Sequence, residues 1–393
     1  MSKDLIIMSK DVEVMRINFD AGIYEILDEL RVPWGLKGKI RKGLPEKESY
    51  TKYEVQQMQS IANKNRDAII AWLANRVLTL SRANAKWVYN LLKFEQVQTD
   101  EHKAKIAIVC RAISLQDAYW LKLDGDAVTW KDVDIRKNPL NEVIAQVALH
   151  GKALTLCGSM ITPELTTQGA YAKAWRRYSN GALWLHKLGH NGNTESRIEV
   201  MCSGLLDKMN VKHVHYRAAE DEGKYVCACE CMTTEDIAIV SGMDFYSYCC
   251  TNGLDFIQEY KRIDAESIYK MWIVDYLISN RDRHGQNWGF YYNVETMEIL
   301  KCHPLFDHNN AFDIEYMSND DADYQFEGMT IKQAAHYAMQ RVDFHFIDEI
   351  TRDDFITDRQ YETFMRRANE LGIKVKQETA IERLGLLFDV EFK

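Results

Sequence analysis

Long hydrophobic runs are missing from this chain: nowhere do about 18 uncharged apolar residues follow one another, which a membrane-spanning helix would require. Near the start the apolar run is only four residues, Leu5 to Met8, with charges on both sides, so a secretory signal peptide is not expected. A cytoplasmic location is the resulting expectation. Proline is scarce, at positions 33, 45, 139, 163 and 304 only, and no repeat or low-complexity tract stands out. Linkers must therefore be inferred from changes of periodicity. Positive charge is in deficit, with a formal net charge of −9, which excludes a global field that would draw in nucleic acid or an anionic membrane. No G-x-G-x-x-G phosphate-loop fingerprint occurs.

Nine cysteines in 393 residues make no dense disulfide framework, and in a cytosol they are expected as thiols. Cys227, Cys229 and Cys231 alternate in YVCACECM, a period that puts all three on one face of a strand. Structural zinc sites use C-x-x-C pairs with a second distant pair, so buried strand-lining cysteines are the expectation here. Cys249-Cys250 and Cys302-His303 lack partners at useful spacing as well.

What is present is the balance of a globular protein: 46% apolar and 27% charged residues, in a length that predicts two or three packed units. VEVMRINF alternates as a half-buried strand does, and PWGLKGKIRKGLPEKES reads as a loop. From Tyr53 to Phe94, VQQMQSIANK, IIAWLANRVL and AKWVYNLLKF carry apolar residues at helical spacing. DAYWLKLDGDAVTW predicts aromatic-rich strands around an Asp-Gly turn. After Pro163 come a Ser-Asn-Gly turn ending at Gly181, a short strand ALWLHKLG, and a polar loop GHNGNTES. The stripe Ile198, Met201, Leu205, Met209 then predicts a helix, and VKHVHYR and YVCACECM predict two strands around an acidic turn. SIYKMWIVDYLISN leaves few positions for water and predicts a buried helix, and the last sixty residues return to amphipathic helix.

The chemistry lies just after that buried helix. NRDRHGQNWGFYYN, a hairpin-like interval VETMEILK, and CHPLFDHNNAF place Asp282, Asn287 and Asp307 in loops that converge if the hairpin folds back. Magnesium takes oxygen ligands, usually one or two from protein with phosphates and water completing an octahedron. Asn287 and Asp307 suit that need, and Asp282 is left for the nucleophile's proton. Taken singly, each could instead be a cap or turn residue. His284 reads as a loop-bracing histidine, because Asp282 already has the proton-accepting position.

The order D-x-H-x-x-N followed by an apolar-Asp step resembles the catalytic loop and metal aspartate of HipA-like and phosphatidylinositol-kinase-like enzymes. Ordinary protein kinases place His-Arg-Asp before the Asn and Asp-Phe-Gly afterwards, whereas here His284 follows the aspartate and the second motif is Asp307-His308-Asn309. TPELTTQGAYAKAWRR and DAYWLKL also resemble pieces of HipA-domain proteins of Firmicutes type. The resemblance spans roughly residues 110 to 315, about half the chain.

It implies an α+β, bilobal protein-kinase-like fold, with a small β-rich N-lobe and a mainly helical C-lobe, plus an additional N-terminal α/β region. The matching segments are a largely helical mixed region 1–110, an N-lobe 111–232 and a helical C-lobe 233–393. Lys187 then resembles the strand lysine that holds the α/β-phosphates of ATP, and Glu199 the helix glutamate that steadies it. Lys173 and Lys208 are the alternatives to Lys187. CECMTTED resembles a hinge whose backbone around Glu230 to Met232 meets adenine, and Gly181 is either a turn glycine or part of a phosphate loop.

The implied activity is magnesium- and ATP-dependent transfer of a phosphoryl group to a protein Ser or Thr, with Asp282 accepting the hydroxyl proton. A toxin restrained by a DNA-binding antitoxin-like partner is the implied setting. A small-molecule or phosphoinositide-type kinase and a catalytically silent binding module are the competing readings.

Overall fold

Alternation in VEVMRIN and the apolar run LIIMS put two strands side by side, β1 (Leu5–Ser9) and β2 (Val12–Asn18), and β3 (Ile23–Ile26) extends the sheet. The computed structural model describes residues 4–45, 49–94, 97–156, 158–167, 169–190, 193–324 and 326–374. The helical tail expected after residue 374, and that part of the 233–393 segment, lie outside them. The described chain is mixed α and β, its sheets are antiparallel, and it divides into two compact units. The first comprises residues 1–196, 216–263 and 285–303, and the second 197–215, 264–284 and 304–393.

In the first unit α1 (Lys52–Ala74) starts at a capping box, where the Thr51 side chain accepts from the Glu54 N–H and Glu54 accepts from Thr51. α2 (Ala85–Leu91) and α3 (Asp100–Val109) follow. The helical spacing expected through residue 94 breaks at residues 75–84. There Val77 and Leu78 are buried in irregular backbone, and the Leu78 N–H donates to the Leu165 carbonyl. β4 (Tyr119–Leu123) pairs with β1, so the sheet order is β3-β2-β1-β4. This sheet runs across the boundary expected at 110/111. The Asp-Gly turn carries no returning strand, because Thr129 and Asp132 form a capping box that starts the short α4 (Trp130–Val133). α5 (Glu142–His150) completes a core in which Ile7, Val14, Ile69, Leu73, Val88 and Ile144 are each at most 1% exposed. Burying side chains of this size stabilises by about 1.5–3 kcal/mol apiece.

A second sheet, order β5-β6-β8-β7, holds β5 (Lys173–Arg177), β6 (Leu183–Lys187), β7 (Tyr216–Asp221) and β8 (Lys224–Glu230). α6 (Thr194–Lys208) lies between β6 and β7 in sequence. The strand expected from VKHVHYR begins only at Tyr216, and the chain reverses at Glu222 and Gly223, both at positive φ as a two-residue hairpin turn requires. Cys227 and Cys229 are buried in the interior strand β8, and none of the described cysteines is in a disulfide.

β9 (Ile237–Ser241) leads into α7 (Gly242–Asn252) and α8 (Phe256–Leu277). α8 kinks at Asp264, where φ is −161° and ψ is 72°, and the two units divide at that residue. Beyond the kink Ile268, Met271, Trp272, Val274, Leu277 and Ile278 are all buried, as the sequence predicts. β10 (Gly289–Asn293) and β11 (Ile299–Cys302) form the expected hairpin, which β9 extends. Gly289 is required there: a Cβ would stand 2.1 Å from the Val240 carbonyl oxygen. α9 (Ile314–Ser318), α10 (Ile331–Met339) and α11 (Asp358–Glu370) belong to the second unit. No described helix is long and apolar enough to cross a membrane.

Candidate functional site

In the first unit the strand lysine is set by register. Lys187 ends β6, opposite Lys173 on β5 and Cys227 on β8. Lys173 and Lys187 are 4% and 5% exposed, so two ammonium-bearing side chains start from directly opposed backbone positions in a largely buried setting. Like charges so placed repel, and a buried charge needs compensation. The Lys187 Nζ donates to the Tyr216 hydroxyl at 3.0 Å and lies 4.7 Å from the centre of its ring. Ser196 anchors the same residue's carbonyl at 3.1 Å.

Buried Arg82 fixes the loop before β5. It donates to the carbonyls of Glu164 at 3.0 Å, Thr167 at 2.8 Å and Lys173 at 2.5 Å. Burial pushes its guanidinium down to about 10, still charged at neutral pH. Burial likewise raises the Glu164 carboxyl, against hydrogen bonds from the Thr162 hydroxyl and the Trp175 N–H. Lys208, by contrast, is committed on the second unit's surface to Asp354 at 2.8 Å and the Glu349 carbonyl at 2.7 Å.

Glu230 ends β8 opposite Trp184, and the Cys231 N–H donates to the Leu183 carbonyl at 2.8 Å. The Met232 carbonyl accepts from the Tyr291 hydroxyl at 3.0 Å. Gly181 sits in the turn between β5 and β6, at φ +84°, with its N–H donating to the Tyr178 carbonyl at 2.8 Å. Five-residue β6 therefore separates it along the chain from Lys187. Asn287 is buried, 4% exposed, two residues before β10.

In the second unit the acidic loops are held by buried charge. Asp275, on the apolar half of α8, is 0% exposed. Arg283 clasps it, with Nη2 3.0 Å from Oδ1 and Nε 3.1 Å from Oδ2, and Asn280 and Tyr324 donate to it at 2.8 and 2.7 Å. Burial alone would lower the Arg283 pKa, but Asp275 reverses this and raises it. The same guanidinium donates to the Phe306 carbonyl at 3.1 Å. On the other side of Asp307, the His308 N–H donates to Glu199 Oε1 at 2.8 Å. Glu199 is 0% exposed, on α6.

Asp307 is thus flanked by two anchored peptide groups, and its own backbone is left-handed at φ +63°. Non-glycine residues in that region are uncommon and persist where surroundings fix them. Asp282 has a side chain 35% exposed, and its Oδ2 accepts from the Asn310 amide at 2.8 Å. His284 Nε2 stands 3.7 Å from Asp282 Oδ1, outside hydrogen-bond range.

Glu199, Asp282 and Asp307 accordingly share the second unit, while Lys187, Glu230, Met232, Gly181 and Asn287 belong to the first. The division falls between His284 and Gly285, inside the D-x-H-x-x-N stretch itself. Sequence reasoning missed Asp275, Arg283 and Asn310. A usable signal existed for Asp275: a lone carboxylate in the middle of an apolar helix has to be paired.

No protein-family model matches the chain. No curated protein sequence matches it either. Among solved structures it is similar to the Helicobacter pylori proinflammatory kinase CtkA, at 15% identity and a TM-score of 0.37, over 51% of this chain and 89% of that one. It is also similar to a chain of the Shewanella oneidensis MR-1 toxin–antitoxin complex of HipA, HipB and operator DNA. That match has 12% identity and a TM-score of 0.47, over 94% of this chain and 98% of that one.

Proposed function

We propose that this chain is a magnesium- and ATP-dependent kinase of the HipA-like type that phosphorylates a Ser or Thr hydroxyl of a protein. The observation that carries the reading is the anchoring of Asp307, at φ +63°, between the peptide groups held by Arg283 and Glu199. Fixing an acidic side chain through strained backbone and two fully buried charged residues is costly for a mere turn. It suits a metal ligand that must be in place before the nucleotide arrives.

The donor set fits magnesium, with Asp307 and Asn287 proposed to supply protein oxygens. Asn309 supports the fit: its Oδ1 is buried, two residues after Asp307, and accepts no hydrogen bond. Such an atom calls for a cation or water. When bound, the ion neutralises charge on the phosphate oxygens.

The chain's own residues do the rest. Asn310 orients the Asp282 carboxylate, which accepts the acceptor hydroxyl's proton as that oxygen bonds the γ-phosphorus and the bond to the ADP oxygen breaks. Lys187, with Lys173 beside it in register, supplies positive charge for the phosphates, and the backbone of Glu230 to Met232 receives the adenine. Catalysis is then positioning and charge stabilisation, with no covalent intermediate. A toxin role with a DNA-binding antitoxin-like partner is the setting proposed on the motif resemblance.

The test is incubation with radiolabelled ATP and magnesium, with protein acceptors in one arm and small-molecule or phosphoinositide acceptors in another. Label on protein, lost in Asp282→Asn, is expected. Label on small molecules or lipid alone would transfer the reading to that class. No label anywhere, with ATP bound, would leave a silent binding module.

A further inference from the structure

We propose that Asp207, His213 and His215 form a binding site for a transition-metal dication of the zinc type, separate from the magnesium chemistry. The three residues belong to the second unit and offer one ligand atom each, all within 4.8 Å of one another. His215 Nδ1 is 3.3 Å from Asp207 Oδ1, and His213 Nε2 is 3.8 Å from the same oxygen. Zinc bonds of about 2.0–2.2 Å in a tetrahedron bring neighbouring donor atoms to a little over 3 Å, so a small inward movement of the donors closes the shell. Two imidazoles, one carboxylate and a water make a coordination set that zinc accepts.

The orientation of His213 is what distinguishes this group from a chance surface cluster. Its side chain is 1% exposed, and Nδ1 lies 2.8 Å from the Val211 carbonyl, which can only accept. The proton of the neutral ring is therefore on Nδ1, and Nε2 accepts from the Ser203 hydroxyl at 2.9 Å, a bond that a metal would replace, with Asp207 Oδ1 3.8 Å away. A backbone carbonyl that fixes the tautomer of a ligating histidine is the usual outer support of metal sites. Asp207 is in the last turn of α6, where the helix dipole favours a cation.

The H-x-H spacing of VKHVHYR reads as one face of a strand, yet at this point the chain forms only an isolated bridge from His213 to Leu305. The two rings nonetheless converge, with centres 4.4 Å apart. A bound ion would clip the end of the helix that carries Glu199 to the segment that follows it.

The test is calorimetric titration of the full-length, metal-stripped chain with zinc alone, in the absence of nucleotide and magnesium. His215→Ala and Asp207→Asn are compared with the parent, since their side chains are 75% and 56% exposed and their loss spares the core. Cobalt substitution supplies the ligand type. The parent should bind one zinc, each variant should lose about tenfold or more in affinity, and the cobalt spectrum should lack a thiolate charge-transfer band. A parent that binds no zinc, either variant binding as tightly as the parent, or a thiolate band would overturn the proposal. None of these readouts depends on phosphoryl transfer, so the kinase reading stands or falls separately.

Discussion

Lys187 and Asp307 are both proposed to serve the nucleotide, and they are built by opposite means. The lysine's place follows from regular structure: a five-residue strand between two partners fixes where its side chain starts, and Tyr216 receives its end. The aspartate stands in irregular backbone that no ladder supports, and two buried side chains, Arg283 from the loop after α8 and Glu199 from α6, hold it instead. A ladder tolerates the loss of one side chain, whereas a loop held by a few buried charges fails as a set. The first region should therefore show local losses and the second cooperative ones.

The largest effect expected is from Asp307→Ala, which should abolish magnesium-dependent ATP binding, with Asn287→Ala clearly milder because a neutral amide holds a dication less well. Calorimetric titration with Mg-ATP reads this, and equal, undiminished affinity in both variants would misplace the metal. Next, Lys187→Met should lower turnover strongly with little change in urea unfolding, and Glu199→Gln should be milder, since the amide oxygen still accepts from the His308 N–H. Unchanged turnover in Lys187→Met would shift the role to Lys173.

Asp275→Ala touches no proposed ligand, yet it leaves Arg283 buried and uncompensated. It should cost about 3–5 kcal/mol in urea unfolding and disable turnover together. Full activity in a destabilised variant would contradict the clamp.

The smallest effect is reserved for Asp221 in the Lys187 sheet. Burial would raise its pKa, but hydrogen bonds from Arg176, His150 and His186 outweigh that and hold it well below the usual carboxylate range. A depressed pKa stabilises above the unfolded value, so Asp221→Asn should cost about 2 kcal/mol at neutral pH. The gap should narrow below about pH 4, as Asp221 takes up a proton in the unfolded wild-type chain while the native carboxylate stays ionised. A gap independent of pH would remove the ionic account.

Where residue type decides, the sequence was readable. Asp282, Asn287 and Asp307 stand out as polar groups in loops after a helix too apolar for the surface, and that helix is buried as expected. Pairing over long distances was not readable. β4 was visible as a strand, but its Asp-Gly turn suggested a partner just downstream, and the partner is β1, more than a hundred residues earlier. Residues 75–84 keep an apolar pattern because Val77 and Leu78 are buried, whatever their backbone does. Arg283 read as one more polar loop residue, since nothing local announces a pairing with Asp275 eight positions back and a carbonyl twenty-three positions on.

The most direct measurement compares Asp282→Asn with the wild-type chain for two quantities at once, Mg-ATP affinity and transfer of labelled phosphate to a protein acceptor. The Asn310 amide donates to Asp282 Oδ2 at 2.8 Å, and an asparagine oxygen there still accepts it. The loop should keep its form and ATP should bind with unchanged affinity. Transfer should fall by about 100-fold or more, because an amide does not take up the hydroxyl proton. Transfer at the wild-type rate would contradict the assignment of Asp282 as the base.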